Sequence, residues 1–424
     1  MVGVFLVCLF GLIFLNVPIS IALIGTGAVM MALTGGIHPQ ILTQGLIRGI
    51  DNYPLLAIPF FMIAGEIMNK GGISKRIVRF ANVLLGHVRG GLGYVTVVAS
   101  MIFAGVSGSA IADAAGIGSV LIPVMKEKGY DSARSTGLIC GASCIGPIIP
   151  PSIPMIIYAV SAQVSVVKLF LGGILPGILV GIVLMIVWGF HSARAKYATA
   201  KRASMKEVVA ATLDAFWAFM LPVIILGGII LGIATPTEAS VVAVVYALIV
   251  SVFIYREIRI SDVPRIIVTA MKTTASVMFV VGGAMSAAYM ITTAHIPELL
   301  SNIMLSIAHN GYVLLFLINI LLLLVGCVMD TAPAILILTP ILVPLVATFG
   351  IDPIHFGVIM VMNLCIGLLT PPVGAVLYVG SGLSGLSIGK LTRGMFPFLV
   401  AIFVALLLVT YIPDLVMVTA RLIR

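Results

Sequence analysis

The chain has 424 residues, of which 61% are hydrophobic and only 9% charged. A soluble domain averages about 25% charged residues, and a globule of this length would still need a charged skin, so a soluble fold is excluded. The formal charge of +9 sits in short loops between apolar stretches, where the positive-inside bias of membrane proteins explains it better than nucleic-acid binding does.

MVGVFLVCLFGLIFLN, at the N-terminus, lacks the basic leader of a cleavable signal peptide and reads as a first retained helix. Apolar segments follow at 17–34, 54–69, 130–162, 168–190, 215–233, 236–254, 274–293, 354–384 and 395–413. A span needs about 20 apolar residues; several of these are shorter or broken by Pro and Gly, which in membranes often marks function. Residues 92–125 are too long for one crossing and too short for two, and basic residues flank both ends (Arg89, then Lys126 and Lys128). A re-entrant hairpin with its tip at Ser107-Gly108-Ser109 satisfies both facts. Residues 312–346 read the same way, with a tip near Met329-Asp330-Thr331.

An internal repeat organises the chain. Residues 105–151 match 326–372 at a constant offset of 221, pairing Gly105/Gly326, Pro123/Pro344, Gly129/Gly350, Asp131/Asp352, Cys144/Cys365, Gly146/Gly367, Pro150/Pro371 and Pro151/Pro372. A weaker echo joins FLNVPISIALI (14–24) to IATPTEASVVA (233–243). The loop KEKGYDSAR after the first hairpin is basic, whereas its counterpart ATFGIDPIH has no Lys or Arg. One hairpin therefore opens to the cytoplasm and the other to the outside, an inverted-topology repeat of the kind secondary transporters use. Residues 70–91, 191–214, 255–273 and 385–394 then lie inside, and together with the loop carrying Lys126, Lys128 and Arg134 they hold 19 of the 23 Lys and Arg. Arg421 and Arg424 run against the scheme, which puts the C-terminus outside. The expected architecture is an all-α polytopic membrane protein: a first repeat over 1–190, a basic cytoplasmic linker over 191–214 and a second repeat over 215–424.

The breaks carry the candidate chemistry. A helix broken at midplane frees backbone N–H and C=O groups; the N–H groups suit an anion and loose carbonyls and hydroxyls suit Na⁺. Ser107, Gly108 and Ser109 form the first such tip, although small residues there also allow close helix packing. Asp330, a carboxylate at membrane depth, could bind a cation, accept a proton, or simply cap the half-helix starting at Thr331. Asp113 reads as an ordinary interhelical hydrogen-bonding group. GASCIGPIIPPSIP (141–154) and NLCIGLLTPPVG (363–374) each break a crossing helix, because Pro supplies no N–H; carbonyls freed before Pro150 and Pro371, with oxygens of Ser143, Asn363 and Thr370, suit a hard cation. A kink without ligands is the alternative. No Lys or Arg lies inside a hairpin, so an anion would be held by helix dipoles and hydroxyls. The five cysteines lie in apolar segments without metal-ligand spacing, the six histidines form no metal-spaced pair, and there is no Walker motif.

SGSAIADAAGIGSVLIP, PIIPPSIPMIIY, IATPTEASVVAVVYAL, MDTAPAILILTPILVP and GLLTPPVGAVLY together resemble the large membrane subunit of tripartite ATP-independent periplasmic (TRAP) transporters, over nearly the whole chain. The resemblance implies a bacterial inner-membrane permease with an elevator mechanism. Its mobile transport domain would cover about 92–165 plus 312–385, against a scaffold formed mainly by the rest. It implies a separate small four-helix membrane subunit, not fused here, and a periplasmic substrate-binding protein that delivers C4-dicarboxylates, sialic acids or sugar acids with Na⁺ as the coupling ion. The family's sodium sites map onto Ser107 to Ser109, Gly141 to Pro147 (with Ser143 and Gly146), Gly326 to Thr331, and Gly367 to Thr370 beside Pro371. No role is carried onto Asp113.

Three other readings stay open. A single-component ion-coupled anion symporter of related architecture would lack the small subunit on purification. A passive channel would show no concentrative uptake. A membrane-embedded enzyme would need a nucleophile and base at midplane, and Ser107 and Ser109 have no His or Lys near them in sequence.

Overall fold

A computed structural model describes residues 2–34, 36, 38–195, 197, 199, 201–295 and 310–422. Arg424 and linker residues 196, 198 and 200 lie outside the described residues. Among those described, the regular structure is entirely helical. The helices are α1 (Val2–Phe14), α2 (Ile19–Thr34), α3 (Pro39–Ile50), α4 (Ala57–Lys70), α5 (Ile73–Leu85), α6 (Gly91–Ser107) and α7 (Ala110–Glu127). Then come α8 (Ser132–Ser143), α9 (Ile153–Ala162), α10 (Val166–Ala195), α11 (Met205–Ile230), α12 (Pro236–Ile249) and α13 (Val263–Thr293). The chain ends with α14 (Gly311–Gly326), α15 (Thr331–Thr348), α16 (Pro353–Gly367), α17 (Ala375–Ser384), α18 (Ile388–Tyr411) and α19 (Asp414–Ala420).

Capping side chains mark where many of these helices begin. Ser204 with Glu207 and Thr235 with Glu238 form reciprocal capping boxes on α11 and α12. Asp131, Ser152, Asp330 and Asp352 cap α8, α9, α15 and α16. Among the described residues six helices are long and apolar enough to cross a membrane, and α3 with the 3₁₀ turn and α4 behind it adds a seventh candidate, bent by 59°. Helices α3 and α5 fall where hydropathy marks no crossing, since Gln40, Gln44 and Arg48 interrupt one and Lys75, Arg76 and Arg79 the other. Helix α15 passes the length and composition test for a span although it is a hairpin arm, so hydropathy alone does not separate the two.

The repeat is visible in three dimensions. Shifted by 221, α7 (110–127) coincides with α15 (331–348), α8 starts where α16 starts, and the cis peptide Pro150-Pro151 falls on the cis peptide Pro371-Pro372. Helix α13 is continuous over the stretch that answers to the bent pair α3–α4. Two packing groups result. In one, α13 packs on α2, α3 and α4, with α12 on α4 and α1 on α2. In the other, the hairpins α6–α7 and α14–α15 pack with α8, α9, α10, α16, α17, α18 and α19. Helices α5 and α11 pack on each other, α5 also against α6, while α4 meets α6 and α13 meets α15 where the groups face each other.

Candidate functional site

Both hairpin tips are real breaks. Helix α6 stops at Ser107, Gly108 turns in the left-handed region at φ 60°, and Ser109 caps α7 by accepting a hydrogen bond from the Ala112 N–H at 3.4 Å. Only glycine fits at 108: a Cβ there would sit 2.6 Å from the Pro151 carbonyl oxygen. The tip thus rests against the α8–α9 break. Shifted by 221, Ser109 becomes Asp330, which caps α15 through the Thr331 N–H at 2.7 Å. The two tips therefore place a capping residue at the same repeat position but cap differently: the Ser109 hydroxyl takes the N–H three residues on, the Asp330 carboxylate the N–H of the next residue.

Between the hairpin group and α4 and α13 lies a cavity of about 380 Å³. Ser107, Gly108, Ser109, Pro147, Asp330 and Thr331 line it, so six of the sequence-derived candidates converge on one space. Three helix N-termini meet there: α7 at Ser109–Ala112, α9 at Ile153–Pro154 behind its cap Ser152, and α15 at Asp330–Ala332. No Lys or Arg lines the cavity, and Glu66, one of its two acids, is held by Lys70 at 2.9 Å. The opposite wall is Glu66 and Asn69 of α4 with Thr269 and Thr273 of α13. Sequence reading gave these four no ligand role; their signal was polar residues at i, i+3 and i, i+4 spacing in otherwise apolar helices.

The other candidates sit elsewhere. Gly141 lies inside α8 and the Ser143 hydroxyl donates back to the Cys140 carbonyl at 2.7 Å. Gly326 and Gly367 bring two backbones together, with no room for a Cβ on Gly367; Pro150 and Pro371 each form one of the cis bonds. Thr370 donates to the Ile366 carbonyl at 2.9 Å. Asn363 is fully buried away from the cavity: its amide N–H donates to the Asn319 side-chain oxygen at 2.6 Å, and the Asn319 amide donates to the Thr410 hydroxyl at 3.2 Å.

Asp113 is an interhelical hydrogen-bonding group, as its sequence suggests, in an environment only the fold supplies. It is fully buried, accepts a hydrogen bond from the Ser107 hydroxyl, and its other carboxylate oxygen has no partner. That oxygen points to Gly146, where a Cβ would collide with it. A buried carboxylate, a tip hydroxyl and the broken backbone at 143–147 therefore share one spot. The usable signal was its place in the first turn of a re-entrant half-helix. Among the described residues no cluster of His, Cys, Asp or Glu suits a transition metal.

The family model for the tripartite ATP-independent periplasmic transporter DctM component matches residues 6–415. The chain belongs to the TRAP transporter large permease family. It is 46% identical over 421 residues to a putative TRAP transporter large permease protein of Haemophilus influenzae, covering 99% of both chains. It is 44% identical to the 2,3-diketo-L-gulonate TRAP transporter large permease protein YiaN of Escherichia coli, covering 99% of this chain and 98% of the relative. Among solved structures, the Alcanivorax borkumensis YdaH transporter superposes with a TM-score of 0.67 at 14% identity, over 92% of this chain and 95% of that one; this is a likeness of fold. The permease is thus a multi-pass membrane transport protein and not an enzyme.

Proposed function

We propose that the permease takes up a small organic anion, a carboxylate or sugar acid, in symport with Na⁺, receiving it from a periplasmic binding protein in a complex with a small membrane subunit. The observation that carries this reading is the cavity itself: three helix N-termini aim at a space without a single Lys or Arg. Helix N-termini favour anions. Asp330 faces the same space and Asp113 lies buried beside the tip, so an anion entering alone would meet uncompensated negative charge. A co-bound alkali cation removes that conflict. Asp113, Ser107 and backbone oxygens of the α8–α9 break supply hard oxygen donors on one side, and Asp330 with the Gly326–Thr331 and Gly367–Thr370 breaks on the other. The diketo-gulonate for which one relative is named is a sugar acid, in keeping with this chemistry.

The two packing groups support an elevator motion, with the hairpin group carrying the cavity past α1–α4, α12 and α13. The packing of α10 and α18 on the hairpin group supports a moving body that includes them together with residues 92–165 and 312–385. The cavity lies against the end of α4 near Lys70 and the first half of α13, both next to basic cytoplasmic loops, which corresponds to an inward-oriented state.

The test is uptake in proteoliposomes holding the permease and its small subunit, with a panel of C4-dicarboxylates and sugar acids. Accumulation should need an inward Na⁺ gradient and the binding protein. Equal uptake with Na⁺ replaced by choline under a proton gradient would overturn sodium coupling, and full uptake without the binding protein would favour a single-component symporter.

A further inference from the structure

On the cytoplasmic rim, away from the transport cavity, the C-terminal half of α5 and the turn behind it face the start of α11 across a cleft of about 670 Å³. Arg79, Asn82 and His87 form one wall, and Lys201, Arg202 and Ser204 the other. Neither Lys201 nor Arg202 makes a salt bridge among the described residues, and Arg79 is held at 3.2 Å by Asp214, outside the cleft. The Nδ1 atom of His87 is buried without a hydrogen-bond partner. Glu207 is the one acid in the lining. It faces Lys201, but one of its oxygens already accepts hydrogen bonds from the Ser204 N–H at 2.6 Å and the Ser204 hydroxyl at 3.0 Å.

The level of this cleft in the membrane decides what can occupy it. Helix α11 is a candidate span from Met205, so the cleft lies at the height of the lipid headgroups on the side where the basic linker sits. Directly below it, Met205, Val209 and Leu213 form an i, i+4, i+8 stripe on α11 with 76%, 50% and 66% of their surface exposed. Lys206 and Glu207 share these turns and the Asp214–Arg76 ion pair follows them, so apolar side chains so exposed lie at the headgroup–acyl boundary. A basic, roomy cleft on top of an apolar stripe matches a molecule with a phosphate at one end and a hydrocarbon tail at the other.

We infer that this cleft binds the headgroup of an anionic phospholipid of the cytoplasmic leaflet, with Lys201 and Arg202 on the phosphate, Asn82 and His87 on the polar headgroup, and an acyl chain along Met205, Val209 and Leu213. The bound lipid would pin the linker between the two repeats to α5.

The probe is short-chain phosphatidylglycerol added to the permease complex in phosphatidylcholine nanodiscs, read by native mass spectrometry and by the shift in unfolding temperature. The wild type should retain the lipid and be stabilised by it. Lys201→Gln with Arg202→Gln should weaken apparent affinity by about tenfold or more, given the contribution of each basic residue near an anionic surface. Lys201→Arg with Arg202→Lys should keep it. Arg194→Gln with Lys206→Gln, which removes two linker charges outside the cleft lining, should also keep it. Equal loss in both Gln pairs would mean diffuse attraction and overturn the site. So would equal stabilisation by inorganic phosphate or by phosphatidylcholine, or no response of the wild type.

Discussion

Cys144 and Cys365, 221 residues apart in sequence, touch: the Cys144 thiol lies 3.1 Å from the Cys365 carbonyl oxygen. They are equivalent positions of the two repeats, so their contact places the pseudo-twofold axis between α8 and α16, at the heart of the hairpin group. Both side chains are fully buried, and around such an axis each half packs against the copy of itself.

That burial predicts reactivity. A membrane-permeant maleimide should leave Cys144, Cys365 and the equally buried Cys140 unmodified in the folded permease, while the partly exposed Cys8 and Cys327 react. All five should react in denaturing detergent. Mass spectrometry of labelled peptides is the check, and fast labelling of Cys144 would contradict the packing.

Gly108→Ala should cripple the first hairpin. The left-handed backbone and the Pro151 carbonyl both oppose a side chain there, a strain of about 1–3 kcal/mol at the cavity wall. Gly129→Ala shares the positive φ but meets open space, so it should cost only about 1 kcal/mol. Uptake should fall severely in the first variant and little in the second, with unfolding temperatures following the same order.

The Asn319–Asn363–Thr410 network ties α14, α16 and α18 together in the second repeat only. Its counterparts at offset 221 are Val98, Ala142 and Gly189, which cannot form it. Asn319→Leu alone should cost about 1 kcal/mol, because Asn363 loses its side-chain acceptor and Thr410 its donor while the Asn363 amide keeps the Asn319 backbone carbonyl at 3.1 Å. Adding Asn363→Leu should cost less than the sum of the single changes, as a double-mutant cycle on thermal or denaturant stability would show.

Asp113→Asn should raise the Na⁺ concentration for half-maximal uptake by about tenfold or more, since opposite unit charges ~4 Å apart attract by about 4 kcal/mol at an effective dielectric of about 20. Asp330→Asn should also raise it. Uptake titrated with Na⁺ at fixed substrate tests both; an unchanged Na⁺ dependence in Asp113→Asn would remove this residue from the cation site.

Lys128→Cys in a cysteine-free background should label from the cytoplasm and Thr348→Cys from the periplasm. Labelling of both from one side would exclude the inverted arrangement of the hairpins.

The sequence by itself determined membrane residence, the repeat and its inversion, and the two hairpin tips to within a residue or two. These follow from hydropathy, loop charge and the positions of Gly and Pro, all of which act locally along the chain. It also marked Ser107–Ser109 and Asp330–Thr331, because a break in an apolar helix is legible wherever it occurs. Only the tertiary structure decided which polar groups share a space. Asn363 looks like Thr370 in sequence, yet one pairs with Asn319 across α14 and the other donates to its own helix. Asp113 looks like an ordinary helical acid until the α8–α9 break closes over it, leaving one oxygen without a partner. Glu66, Asn69, Thr269 and Thr273 become a cavity wall only when α4 and α13 are set against the hairpins. Those outcomes depend on packing between segments up to about two hundred residues apart, and period, propensity and charge along one chain carry no record of which faces will meet.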